Sequence, residues 1–308
     1  MKFPLSLPIW PLLKKLLRLA LCGLGSLLFL PTAWGLNPLP VTGPIVRLAD
    51  MADISVAQLV QAVLSSDVAV LGEVHDNPHH HQLRGDLLRQ LPAASKTVVA
   101  EHLSWRQRFT PQVELVTDLQ AAGFDAQGWG WPLHQALFEA VTVMQMPLIG
   151  GNLPGDSIKE VFKTRGQSLP EPVRVLLAQA PFDEAQRKAL AEEIDQGHCG
   201  AMPASMFEGM AAVQRGRDAA MADVALAHLP SLVLAGNGHA WKHLGVPFVV
   251  NKTSPHLQAL SVLFMEWDDS RPLQEKQAFL TELAPQADYV WLTPPQSRDN
   301  PCVQLHKK

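Results

Sequence analysis

The stretch Val68-Ala69-Val70-Leu71-Gly72-Glu73-Val74-His75 decides the fold class. A short apolar, partly β-branched run closed by glycine reads as a buried strand. Three more segments repeat the pattern. Thr97-Val98-Val99-Ala100 runs into Glu101-His102, Pro147-Leu148-Ile149 into Gly150-Gly151-Asn152, and Leu232-Val233-Leu234-Ala235 into Gly236-Asn237-Gly238-His239. Helical patterns separate these runs, which predicts a mainly parallel sheet buried on both faces. Sites in such sheets gather at the carboxyl ends of the strands. If the four runs are neighbours, Glu73, His75, Glu101, Asn152 and His239 converge on one rim. A lone histidine after a strand is more often a hydrogen-bonded structural residue than a ligand. Four strand ends carrying this chemistry read as a shared site.

Outward from these runs, the pattern is α/β. Residues 36–50 are Pro-rich and read as an extended lead-in, 54–64 as a helix, and 79–91 as a helix that Pro78 starts. Residues 111–122 and 132–144 are further helical patterns, split by Gly128-Trp129-Gly130-Trp131. From 155 to 228 there is no strand signal. Helical patterns at 155–165, 171–180, 183–196 and 203–228 make this an α-helical insertion, expected to cover the rim. Strands are expected at 232–236, 247–250, 258–265 and 288–292. The expected architecture is therefore a central sheet flanked by helices, with one domain over 36–308.

Residues 1–35 read as a secretory signal segment. Lys2, Lys14, Lys15 and Arg18 precede or interrupt an apolar stretch ending at Leu30, and Ala33 and Gly35 are the small residues of a cleavage site. The apolar run is short for a membrane span. Cys22 raises the alternative of a lipid anchor with peripheral membrane association. Leu21 before it is not small, and the apolar run continues past it, so the cleaved form fits better. An exported, periplasmic or membrane-associated location follows. Without this segment, 21 Lys and Arg face 29 Asp and Glu, a formal charge of −8. An acidic chain without a basic patch is a poor nucleic-acid binder. Cys199 and Cys302 remain, and in an oxidising compartment they can pair or stay apart.

The rim residues offer two chemistries. Glu73 and His75, one residue apart, point to the same side of an extended loop. With Glu101 and His239 they form a donor set for a divalent metal, or the general base and its orienter in a hydrolase, an esterase or peptidase. Of the three consecutive histidines, His79, His80 and His81, at most one or two can face the rim. There is no phosphate-binding Gly-x-x-x-x-Gly-Lys loop and no Gly-x-Ser-x-Gly elbow. Along the last insertion helix, Met202, Met206, Met210, Val213, Arg217 and Met221 recur at helical spacing. That stripe is either core or an apolar platform for a flat ligand such as haem. On the second reading, His198, Cys199 and Met202 are the nearby soft ligands, and Arg217 can meet a carboxylate.

Taken together, Leu71-Gly-Glu-Val-His-Asp-Asn-Pro-His-His-His81, Asn152-Leu-Pro-Gly155, His198-Cys-Gly-Ala-Met202, Gln214-Arg-Gly-Arg-Asp-Ala-Ala-Met-Ala222 and Gly236-Asn-Gly-His-Ala-Trp-Lys-His-Leu-Gly-Val-Pro247 resemble the ChaN-like haem-binding uptake proteins. These belong to the superfamily that includes Tiki, TraB and erythromycin-esterase-like proteins. The resemblance covers roughly residues 60–265. It implies an α/β sheet with a helical lid, a homodimer, haem held between protomers and a role in iron acquisition. Elsewhere in the superfamily, positions matching Glu73, His75, Glu101 and His239 are associated with metal-dependent or metal-independent hydrolysis. A tyrosine ligand for haem would have one candidate, Tyr289, the single tyrosine of the chain.

Overall fold

A computed structural model of the chain describes residues 43–298 and Cys302. The expected signal segment and Cys22 lie outside the described residues. In chain order the elements are β1 (Ile45–Arg47), β2 (Ala52–Ile54), α1 (Val56–Ser65), β3 (Val68–Leu71), α2 (Pro78–Leu88), β4 (Thr97–Ser104), α3 (Leu115–Ala121), α4 (Gln135–Val143), β5 (Leu148–Asn152), α5 (Gly155–Lys163), α6 (Glu171–Gln179), α7 (Glu184–Gly197), a 3₁₀ turn (Ala204–Met206), α8 (Phe207–Ala227), β6 (Ser231–Leu234), α9 (Asn237–Ala240), α10 (Val246–Thr253), β7 (Ala259–Glu266), α11 (Leu273–Leu283) and β8 (Tyr289–Thr293). All described residues fall in one unit, Pro40–Lys308.

The sheet has eight strands in the order β2-β1-β8-β7-β3-β6-β4-β5. From β8 to β5 every pairing is parallel, and β1 and β2 close one edge as antiparallel strands. Strand alternation splits the core into two faces. Val68 and Val70 of β3, Val99, Val233 and Leu263 pack toward α6, α7, α8, α10 and α11. Ala69, Leu71, Val98, Ala100, Leu232 and Leu234 pack toward α1, α2, α3 and α4. We call these the α8 face and the α2 face.

β6 slots between β3 and β4 after the long excursion through α5–α8. The chain leaves β3 toward the α2 face and leaves β6 toward the α8 face. That reversal is a topological switch point, where a crevice opens at the carboxyl ends of the strands. The insertion is wholly helical, as the pattern predicts. It has a small core of its own from Leu153, Val161, Leu169, Val173, Val213, Ala219 and Ala220. It is pinned to the turn that follows β4, where Asp223 of α8 accepts hydrogen bonds from Trp105 Nε1 (3.2 Å) and from Arg106 Nε (3.0 Å).

One expected strand is a helix. Residues 247–250 lie in α10, where Pro247 sits in the first turn, the position proline suits in a helix and not in a central strand. Val246 to Val250 are all buried. Complete burial is what made the run look like a strand. The lead-in also holds more order than expected, since it contributes β1.

Candidate functional site

The rim forms as the strand pattern predicts, and strand geometry divides it in two. β3, β6, β4 and β5 are neighbours, so Glu73, Glu101, Asn152 and the short helix α9 carrying His239 share one edge. Gly72 allows the close approach. A Cβ there would lie 2.1 Å from Asn237 Oδ1, and the Asn237 N–H donates to the Glu73 carbonyl at 2.9 Å. This stitches the β3 loop to α9. Glu101 and His102 are consecutive in β4, so alternation sends them to opposite faces.

On the α2 face Glu73 is buried, with imidazoles around it. Its Oε1 lies 2.7 Å from His75 Nδ1, 3.3 Å from His102 Nε2 and 3.6 Å from His134 Nε2. Its Oε2 lies 3.1 Å from His81 Nδ1 and is paired with Arg84. α2 supplies His81 and Arg84, β4 supplies His102, and His134 caps the start of α4. Trp129 packs edge-on to His75 and against His102. Burial, the largest cause, lowers the pKa of His81 to about 4. Burial also holds His102 and His134 well below the ordinary histidine range, reinforced by Arg84 and neighbouring rings. These rings are neutral at pH 7. His81 Nε2 bonds the His75 carbonyl at 2.8 Å, so in the neutral ring the proton sits on Nε2 and Nδ1 keeps its lone pair.

On the α8 face the logic is reversed. His239 Nδ1 donates to Asp218 Oδ1 at 2.6 Å, and its Nε2 lies 3.3 Å from Glu101 Oε1. Burial alone would lower its pKa, but the two carboxylates outweigh burial and raise it to about 10. Burial pushes Glu101 up, yet the imidazolium and the Gly236 N–H, which donates to Oε2 at 2.8 Å, hold it well below the carboxylate range. Asp218 is raised by burial. His75 stands between the faces. Its side chain is half-exposed, its Nδ1 is on Glu73, and its Nε2 comes within 2.7 Å of where a Cβ on Gly236 would be.

Glu73, His75, Glu101 and His239 thus share the rim but do not form one ligand set. Both ring nitrogens of His239 are committed to carboxylates, so it offers no lone pair to a metal or to a water proton. Of the histidine triplet, His80 and His81 are both buried. His80 serves structure, accepting from the Val74 N–H at 2.9 Å and bonding Thr293 Oγ1 at 2.8 Å.

Beside the α8 face is a cavity of about 310 Å³. His198, Met210, Gln214, Arg217, Gly238 and Trp241 are among its lining residues. His198 Nδ1 bonds the Ile194 carbonyl at 2.6 Å, which orients the ring and leaves Nε2 as the free acceptor in the neutral ring. Arg217 Nε is buried without a hydrogen-bond partner among the described residues. Met202 is half-buried and packs against the core, while Met206 is exposed and Met221 is fully buried. The stripe is therefore part core and part surface, not one platform.

Two of the expected cofactor residues are placed elsewhere. Cys199 is disulfide-bonded to Cys302 and has no thiolate to offer. Tyr289 begins β8, where it pairs with Arg47 of β1, at the amino-terminal end of a parallel strand and so opposite the rim. Sequence reasoning missed His102, His134, Arg84 and Asp218 as site residues. Asp218 carried a signal, four residues after Gln214 on the same helical face. His134 carried none, because only the packing of α4 on α2 brings it in.

The model of the haem-binding uptake family (Tiki superfamily, ChaN) matches residues 59–250, well over half of the chain. This chain belongs to the ChaN family. The structure titled as cofacial haem binding to ChaN of Campylobacter jejuni has a TM-score of 0.60 and 20% identity, covering 81% of this chain and 96% of that one. At that identity the likeness establishes the α/β fold of this ChaN-family chain. A Bacillus cereus protein aligns over 74% of this chain and 72% of its own, at 12% identity and a TM-score of 0.36, too distant to inform the site. No curated protein matches the sequence.

Proposed function

We propose that this chain is an exported haem-binding protein of haem or iron uptake, with haem seated in the cavity between α7, α8 and α9. Family membership supports haem as ligand. The observation that carries the location is that an oriented imidazole, His198, and a buried guanidinium nitrogen of Arg217 without a partner among the described residues both line this cavity. An imidazole nitrogen is a haem iron ligand, and a guanidinium is the natural partner of a propionate. A cavity of about 310 Å³ is at the low end for small-molecule sites. It suits a flat ligand covered on one side, with a second protomer covering the other. The cofacial arrangement named for the Campylobacter protein fits such a homodimer. The Cys199–Cys302 disulfide supports an oxidising compartment. Among the described residues no helix is long and apolar enough to cross a membrane.

The test is hemin titration of the 36–308 chain, followed by the Soret band and by sedimentation. Saturation near one haem per chain, weakened at least about tenfold in His198→Ala and in Arg217→Ala, is expected, in line with about 1.4 kcal/mol per lost polar contact. No saturable Soret shift in either redox state would overturn the reading. Binding unchanged in both variants would move the haem elsewhere.

A further inference from the structure

The α2 face of the rim holds a cluster that the haem reading does not use. Glu73, His81 and His134 each place a ligand atom so that all three lie within 4.8 Å of one another, and all three residues are buried. His102 adds a fourth group, its Nε2 3.3 Å from Glu73 Oε1. Both ring nitrogens of His134 and Nδ1 of His102 have no hydrogen-bond partner among the described residues. Buried polar atoms left unpaired are costly, and each asks for an explanation. His81 already has the tautomer of a metal ligand, with Nε2–H on a carbonyl and Nδ1 turned inward.

We propose that Glu73, His81 and His134, with His102 as the fourth donor, form a buried site for a borderline transition-metal ion such as Zn²⁺. Three imidazoles and one carboxylate make a zinc-type donor set. Zinc–nitrogen and zinc–oxygen bonds of about 2.0–2.1 Å put neighbouring donors of a tetrahedron roughly 3.3 Å apart. The separations from the Glu73 oxygens to His81 Nδ1, His102 Nε2 and His134 Nε2 are 3.1, 3.3 and 3.6 Å. The ligand atoms of Glu73, His81 and His134 lie within 4.8 Å of one another, so the side chains must draw inward to close around the ion. His75 and Trp129 stand at the mouth, and His75, half-exposed and bonded to Glu73, is the side chain that must swing to admit the ion.

Arg84 is the competitor. Its guanidinium pairs with Glu73 and lies 3.1 Å from His81 Nδ1. It supplies the positive charge that Glu73 needs when no metal is bound. An incoming ion takes that role over, so removing Arg84 should tighten metal binding.

The experiment uses the 36–308 chain without a histidine tag, stripped with chelator and titrated with Zn²⁺ by calorimetry, with bound metal counted by elemental analysis. One Zn²⁺ per chain is expected. Affinity should fall on the order of 100-fold in His81→Ala and in His134→Asn, and rise at least about tenfold in Arg84→Met. Co²⁺ in place of Zn²⁺ should give the intense visible bands of a tetrahedral site, lost in His134→Asn. Circular dichroism confirms that each variant is folded. The proposal is overturned if the stripped protein takes up no Zn²⁺. It is equally overturned if His134→Asn and His81→Ala bind as the wild type does, or if His79→Ala, outside the cluster, abolishes binding instead. None of these readouts involves haem, so their failure leaves the haem reading standing.

Discussion

The two faces of the rim use the same residue types and reach opposite charge states. On the α2 face four imidazoles surround one carboxylate, and Arg84 already neutralises that carboxylate. Burial wins there and the rings stay neutral. On the α8 face one imidazole lies between two carboxylates. The paired negative charges outweigh the same desolvation and the ring is a cation. What decides a buried histidine is the number of uncompensated acids touching it, not burial itself. Consecutive residues, Glu101 and His102, supply one partner to each side.

The largest effect should come from removing the cation. His239→Ala leaves Glu101 and Asp218 buried without their counter-charge, and breaking a buried pair in this way costs about 3–5 kcal/mol. Urea unfolding at pH 7 measures it, and a loss below 1 kcal/mol would show that His239 is not charged. The pH dependence carries the same contrast. His239 has its folded-state pKa raised to about 10, above the ordinary value of about 6.5. Its contribution is therefore complete below pH 6.5 and is lost as pH rises toward 10.

The neutral face should show the opposite slope. His81 has a folded-state pKa of about 4, below its unfolded value, so the unfolded chain binds the extra proton between about pH 6.5 and 4. Stability is lost as pH falls through that window, on the order of 3 kcal/mol for His81 alone at about 1.4 kcal/mol per pH unit. His134, which has no hydrogen-bond partner among the described residues, provides the clean variant. His134→Phe should reduce the acid loss measured between pH 7 and pH 4.5 in metal-free protein. An unchanged slope would break the contrast between the faces. Imidazole ¹⁵N spectra at pH 7 sharpen it further, since His239 should appear as imidazolium and His81 as the neutral Nε2–H form.

The smallest effect should come from the boundary between the faces. Gly236→Ala sets a methyl group 2.7 Å from His75 Nε2. His75 is half-exposed and can turn away, so the cost should be about 1 kcal/mol, the lower end for overpacking. The movement gives up the Nδ1 bond to Glu73. The pKa of His75, lowered chiefly by burial, should return toward its ordinary value in an NMR titration. A His75 titration identical to wild type would mean that the ring does not move.

Much of this was legible in the chain. The strands at 68–72, 97–101, 146–150 and 232–236, the helical insertion from 155 to 228, and the convergence of Glu73, Glu101 and His239 follow from local periodicity and from the habit of parallel sheets, although β4 continues to Ser104. The strand expected at 247–250 failed because complete burial erases periodicity, leaving Pro247 as the only cue. Partners were harder than positions. Asp218 sits within the helical motif 214–222, and His134 lies in the helical pattern 132–144. Asp218 had only its helical spacing from Gln214 as a cue and His134 had none, because each acts through a contact across more than twenty residues of sequence.

By itself the sequence determined that Glu73, Glu101 and His239 follow apolar strand-forming runs, since hydrophobic run length and glycine punctuation are local properties; that those runs are neighbours came from the strand order. Only the tertiary structure decided what those groups are. A charge state depends on the sum of burial and nearby charges. Arg84, His81 and His134 enter that sum from α2 and α4, and Asp218 enters from α8. Whether Cys199 is a ligand or half of a disulfide, and whether Tyr289 is near the rim or opposite it, are likewise matters of distance in space. Distance between elements is set by how helices pack on the two faces of the sheet, and no local pattern encodes it.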